Sequence, residues 1–316
     1  MTNQLKNEKS PYLKQHENNP VDWFAWNKKT LQKSKNEKKP IFLSVGYASC
    51  HWCHVMAHES FEDQETAKLM NEKFINIKVD REERPDLDYV FQRSLSILTG
   101  TQGGWPLSMF LDENGVPFTG GTYFPPKEMQ GHPNFKKVLN NVSDVYKENR
   151  EKIIAQAPQM QDIFSKINQR SAVLSQSLEP FVEKIISYLD EEYGGFKGAP
   201  KFPQFYMFDT IFYFYLKTNN QKYLTPVETL LSNISSKGVY DQLEGGIARY
   251  SVDEKWIIPH FEKMLYDNIQ YVNLLTKFYQ KTKKEYFKTK LVQTINFLNK
   301  EFKNNENLYG SAYDAD

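Results

Sequence analysis

Cysteine is nearly absent: the 316-residue chain has two, at positions 50 and 53. So few exclude a disulfide-stapled scaffold, and in a reducing compartment a close pair is more often catalytic or metal-binding than structural. An excess of one charge is also missing, since 40 basic side chains face 39 acidic ones for a formal charge of +1. Without a basic excess, no electrostatic footprint for nucleic acid is expected. Apolar runs of about 18 residues do not occur, so no membrane-spanning helix is expected. The polar start, "MTNQLKNEKSPYLKQHENNP", has no apolar core of a signal peptide. The expectation is a soluble, cytoplasmic chain that binds neither nucleic acid nor membrane, and no motif calls for a cofactor. What is abundant is packing material: 40% of residues are apolar, with 22 Phe and 19 Tyr, in a length that suits two domains.

The halves differ in hydrophobic period. In the first, "PIFLSV" (40–45), "FINIKVD" (74–80) and "LSMFL" (107–111) read as buried strands, the last entering a hairpin through "DENG" into "VPFTG". Helical spacing at 63–73, 86–98 and 135–146 fills the gaps, which predicts a mixed α/β layer. From about 165 to 179 the composition turns to Ser, Gln and Asn, marking a boundary. Beyond it the periodicity is helical, with no convincing strand. Glycine pairs at 194–195 and 245–246 recur after 51 residues, the length of a helical hairpin with its loops.

Both cysteines lie in "VGYASCHWCHVMAHESF" (45–61), directly after the first strand and where the chain turns helical. A helix N-terminus stabilises a thiolate, which makes Cys50 the nucleophile. Cys53, one turn on, closes the internal disulfide and releases product, with His51, Trp52 and His54 tuning the thiolate. Two alternatives stand beside this. Cys50, Cys53, His54 and His58 could supply four zinc ligands, although they would crowd one turn; no metal is assigned. Or the cysteines simply pack. Pro106 and Trp105 in "GGWPLSMFL" sit where a thioredoxin fold sets a cis-proline against its dithiol and would shape the substrate groove; a trans-proline at a strand start is the plain alternative.

In the second half, Asp241, Glu244, Arg249, Trp256, His260 and Glu262 fall within "YDQLEGGIARYSVDEKWIIPHFEKMLYDN", and Asp314 and Asp316 in the final "YDAD". Carboxylates, an aromatic platform and a histidine at one loop-rich rim suit a sugar-like pocket, since glycoside chemistry needs two opposed carboxylates and epimerisation an acid–base pair. The bland alternative is a salt-bridge and capping network that orders a long loop.

Together "SPYLKQHENNPVDWFAW", "CHWCHVMAHESF", "VDREERPD", "GGWPLSMFL", "GGTYFPP", "APKFP", "PHFEKMLYDN" and "YDAD" resemble successive motifs of the YyaL-like, spermatogenesis-associated thioredoxin-domain family. The resemblance implies an α/β thioredoxin-like domain (1–165), a linker (166–178) and an all-α, incomplete (α/α)6-toroid domain (179–316) of the six-hairpin kind found in glycosidases and N-acylglucosamine 2-epimerases. It also implies that Cys50 and Cys53 are the dithiol and Pro106 its cis-proline. One departure is Ser44, at the position where thioredoxins often bury an acid; His54, His58 or Glu59 would have to replace that proton shuttle. Another is length, because six hairpins of ~50 residues need ~300 and about 138 remain, so a fragment is expected. The function that follows is thiol–disulfide oxidoreduction on a protein or small-molecule substrate. The alternatives are a carbohydrate-acting toroid with an accessory thioredoxin domain, or a metal-binding or scaffold module.

Overall fold

The structure, a computed structural model, describes residues 3–129, 133–167 and 177–315. The chain divides into two compact units, Met1–Ser171 and Ala172–Asp316. The expected linker lies for most of its length outside the described residues, as does Asp316.

The first unit runs α1 (Pro11–Gln15), β1 (Trp23–Ala25), α2 (Lys28–Glu37), β2 (Ile41–Gly46), α3 (His51–Met56), α4 (Gln64–Lys73), β3 (Ile75–Asp80), α5 (Pro85–Thr99), β4 (Leu107–Leu111), β5 (Pro117–Gly121), α6 (Phe135–Ala155) and α7 (Ala157–Ile167). Short polar caps set the helix starts: Asn27 and Asp63 accept the N–H groups of Thr30 and Thr66, satisfying donors a helix leaves orphaned. The five strands order as β1-β3-β2-β4-β5, with β1, β3 and β2 parallel and β4 and β5 antiparallel. β1 was not foreseen, because three residues are too few to show a period.

Strand alternation gives the sheet two unlike faces. Ile41, Leu43, Val45, Ile77, Val79, Leu107 and Met109 close on Phe91 and Leu95 of α5 as an apolar core, each burial contributing roughly 1.5–3 kcal/mol. The other face carries Phe42 and Phe110 against Trp23, Phe61, Phe74 and Phe135. Polar residues interrupt it in one row, where Ser44 pairs with Lys78 on one side and Ser108 on the other.

The second unit contains α8 (Glu179–Ser187), α9 (Phe205–Thr218), α10 (Gln221–Ser236), α11 (Leu265–Thr282) and α12 (Glu285–Phe297). Two tight hairpins, α9–α10 and α11–α12, each turn on a left-handed residue, Asn219 (φ 55°) and Lys283 (φ 57°). α11 also packs on α9, so the hairpins lie side by side. Two-residue strand pairs occur in the loops: β6 (Tyr250–Ser251) with β7 (Pro259–His260), and β8 (Lys263–Met264) with β9 (Ala312–Tyr313). The expectation of no strands is corrected to that extent; such pairs are too short for a sequence signal.

The recurrent glycine loops are one structure used twice. Asp190 accepts the N–H groups of Glu192 and Tyr193 and the ammonium of Lys201, at 3.0, 2.9 and 2.7 Å. Asp241 does the same for Leu243, Glu244 and Lys263, at 3.0, 3.0 and 2.7 Å. Bridges Leu189–Phe196 and Tyr240–Ile247 close the two loops identically. Gly194 (φ 70°) and Gly245 (φ 95°) take backbone that other residues rarely adopt, and a Cβ on Gly194 would lie 2.6 Å from the Leu230 Cα. A shortened version built on Asn304, closed by Lys303–Tyr309, follows α12. The loops thus follow α8, α10 and α12, once per hairpin.

Candidate functional site

Cys50 and Cys53 form a disulfide, S–S 2.01 Å. Cys50 is the N-cap of α3, and its sulfur accepts the Cys53 N–H at 3.2 Å. The Cys53 N–H of the first turn therefore points at the sulfur that would carry negative charge after reduction. Cys50 and Cys53 are 2% and 1% exposed, whereas Trp52 between them is 47% exposed, packed 5.3 Å from the Tyr123 ring and 5.8 Å from that of His51. His54 Nε2 lies 2.8 Å from the Ala48 carbonyl oxygen. His58 pairs with Glu62 on the surface, and Glu59 accepts the Tyr123 hydroxyl. A four-ligand zinc set is not assembled: among the described residues no group of three or more His, Cys, Asp or Glu is arranged to hold a metal.

The Trp105–Pro106 peptide is cis, and Pro106 leads directly into β4, whose Leu107 pairs with Val45. Arg81 stacks 4.1 Å from the Trp105 ring centre and 5.4 Å from that of Tyr47. The Trp105 indole N–H donates to Asp88 at 2.9 Å. Arg84 instead pairs with Asp86 in the open. Of the two arginines in "VDREERPD", it is Arg81 that lies against Trp105.

Beneath the dithiol lies a polar interior that sequence reasoning did not assign. Lys78 is 1% exposed and donates to the Ser44 hydroxyl at 3.1 Å. Its Nζ stands over Phe61, Trp23 and Tyr12 at 4.3, 4.7 and 5.2 Å. No carboxylate lies within 4.0 Å of it among the described residues. Burial drives its pKa well below the usual lysine range. Cation–π contact favours the ammonium by about 2 kcal/mol, while desolvating an unpaired ion costs several, so the contact offsets only part of the burial effect. His16 is likewise pushed well down, by burial first and then by the Lys78 charge, against an opposing Asn19 hydrogen bond. Tyr12 is driven far up by burial and by Asp80, with Ser44 opposing, and no hydrogen bond of normal geometry reaches its hydroxyl among the described residues. In the sequence, "FINIKVD" shows only a lysine within a short apolar run; that every residue of β3 is buried is seen in the structure.

The second-half candidates separate. Trp256 is fully buried in the helical core, donating its indole N–H to the Tyr193 carbonyl at 2.8 Å; as a solvent-facing sugar platform it is corrected, because its ring fills the space beneath the Gly195 loop. Asp241 serves its own turn: burial would raise its pKa, but Lys263 and the N–H groups of Glu244 and Leu243 hold it below the usual range. Glu244 pairs with Lys300 in the open. Arg249, His260 and Glu262 do come together, with Arg249 Nη1 3.1 Å and His260 Nδ1 3.8 Å from Glu262 Oε2. Both Arg249 and Glu262 are buried, not on a solvent-accessible rim, since a paired ion tolerates burial. His260 stacks 4.5 Å from Tyr250, which packs 4.7 Å from Phe202. Asp314 is partly exposed in the segment after β9.

Fold and site define a thioredoxin-like domain with a C-x-x-C pair on its first helix after β2, joined to a domain of repeated helical hairpins. The chain belongs to the family described as Thioredox_DsbH, protein of unknown function DUF255, whose model matches residues 2–165. It is 37% identical to spermatogenesis-associated protein 20 of Rattus norvegicus over 99% of this chain and 41% of that protein. An uncharacterized protein of Caenorhabditis elegans is 41% identical over 92% of this chain and 40% of its own length. The chain therefore spans about two-fifths of the length of these relatives. Among solved structures, cellobiose 2-epimerase from Spirochaeta thermophila is similar over 45% of this chain and 42% of that one, at TM-score 0.38 and 18% identity. A DsbH oxidoreductase is similar over 40% of this chain and 83% of its own, at TM-score 0.28 and 19% identity.

Proposed function

We propose that the first unit is a thiol–disulfide oxidoreductase. The observation that carries this is the Cys50 sulfur at the N-terminus of α3, hydrogen-bonded by the Cys53 N–H, next to the strand led by Pro106. The Cys50 thiolate attacks a substrate disulfide, forms a mixed disulfide and expels one substrate thiolate. Cys53, as thiolate, then attacks the Cys50 sulfur, expels the second substrate thiolate and leaves Cys50–Cys53 oxidised. An external thiol reductant returns the pair to the dithiol. Trp52, Trp105 and Pro106 flank the pair as the surface for a peptide or small-molecule disulfide, with Arg81 favouring an anionic one. A single close cysteine pair fits a reducing compartment such as the cytoplasm. The test is a trap: after reduction, Cys53→Ser should accumulate a mixed disulfide with a peptide disulfide through Cys50, and Cys50→Ser should not. Equal trapping through either cysteine would refute the assignment.

A second reading concerns the helical unit. The partly exposed, stacked rings of Tyr250 and His260, backed by the buried Arg249–Glu262 pair, offer a stacking face to a sugar-like ligand. Thermal shifts against a sugar panel, lost on Glu262→Gln, would support it; no shift with any sugar removes it.

A further inference from the structure

Every dithiol cycle needs the resolving thiol to lose a proton, and this fold has Ser44 where an acid would do it. The buried groups facing that place are few. Gly46 ends β2, and a Cβ there would lie 2.3 Å from the Tyr12 hydroxyl oxygen and 2.7 Å from Cys53 Sγ. Those two atoms are therefore within about 5 Å of each other across a position that has no side chain. Ser44 is the next polar group, near enough to the Tyr12 hydroxyl to oppose the rise of its pKa although no hydrogen bond of normal geometry joins the two, and Lys78 Nζ lies 3.1 Å from the Ser44 oxygen. The remaining side chains around Lys78 are the rings of Trp23 and Phe61, His16 beside Tyr12, and Asp80 two residues on, held by the Ser10 hydroxyl at 2.6 Å. His58 pairs with Glu62 and Glu59 accepts the Tyr123 hydroxyl, while His54 Nε2 lies against the Ala48 carbonyl.

We infer that Lys78, acting through Ser44 and Tyr12, receives the proton of the Cys53 thiol when the mixed disulfide resolves. This rests on the oxidoreductase reading and adds the proton path to it. In the step, Cys53 S–H passes its proton to the Tyr12 oxygen, Tyr12 passes its own to Ser44, and Ser44 passes its own to the Lys78 amine. Cys53 Sγ bonds to Cys50 Sγ as the bond from Cys50 to the substrate sulfur breaks, and the substrate leaves as a thiolate. The chain ends with one disulfide and one ammonium; reduction by an external thiol runs the proton back. A neutral amine is suited to this because an acceptor works best with a pKa near the working pH, and burial moves lysine in that direction. Lys78 touches neither sulfur, so its role is to hold and return a proton.

The experiment mixes the prereduced full chain with an aromatic disulfide whose thiolate absorbs visibly, so that attack by Cys50 and resolution by Cys53 each release one equivalent. In Lys78→Met the first phase should stay within about twofold of wild type, while the second slows at least about tenfold near pH 7. The pH midpoint of the second phase should rise by about one unit or more. Tyr12→Phe, which keeps the ring, should slow the same phase and carries the test if Lys78→Met does not fold. Unchanged second phases and midpoints in folded variants would overturn the proton path while leaving the oxidoreductase reading standing. Failure of the wild-type chain to release either equivalent would overturn both.

Discussion

Replacing Lys78 with methionine should stabilise the first unit at neutral pH, by an amount that shrinks as the pH rises. Methionine has a similar unbranched shape and fits among Trp23, Phe61 and Tyr12, whereas wild type must strip a proton from the lysine or bury an unpaired ammonium. The sign follows from linkage. The unfolded chain holds the lysine proton up to a pKa of ~10.4, and burial lowers the folded pKa well below that. Between those values the unfolded state binds one more proton, so wild-type stability rises with pH by about 1.4 kcal/mol per unit. Methionine has no such slope. Where the folded pKa lies below the interval, moving from pH 7 to pH 9 should close the gap by about 2.7 kcal/mol, or roughly 5–10 °C in melting temperature for a unit of this size. Urea or thermal unfolding followed by circular dichroism, with the disulfide oxidised in both proteins, gives the two curves. Parallel pH profiles, or a variant less stable at pH 7, would show that Lys78 is held as an ammonium by its rings and refute the desolvation argument.

Three further outcomes are expected. After reduction, Cys50 should alkylate faster than Cys53 near neutral pH, because the α3 N-terminus lowers its pKa below the free value of ~8.5; brief iodoacetamide labelling with mass spectrometry checks this, and equal rates would count against the nucleophile. Gly46→Ala should destabilise the first unit by about 1–3 kcal/mol through overpacking, since the added methyl meets both Tyr12 and Cys53; unfolding in urea measures it. Trp256→Ala should cost the second unit about 3–5 kcal/mol as a core deletion, read by thermal unfolding, and a neutral substitution would contradict its burial.

Where a residue pattern had a long enough period, it was legible. β2, β3 and β4 follow from short apolar runs and the loop repeat from glycine spacing, and the C-x-x-C after β2 followed from local order alone. The remainder depended on tertiary neighbours. α9, "FYMFDTIFYFYLKT", is apolar nearly all round and shows no stripe, because Phe205, Phe208, Ile211, Phe212 and Phe214 are all buried. The charged loop in the second half looked like a ligand rim because a sequence cannot show that Asp241 is satisfied by its own turn and Lys263. Lys78 reads as a solvated charge until the register sets it opposite Ser44.

The central claim is that Cys50 and Cys53 work as a two-electron pair, and a single-turnover count tests it most directly. Prereduced chain, freed of other thiols and mixed with excess peptide disulfide, should release two peptide thiols per chain and finish with Cys50 joined to Cys53, while Cys50→Ser releases none over the same interval. No release from the wild-type chain, or equal release from Cys50→Ser, would contradict it.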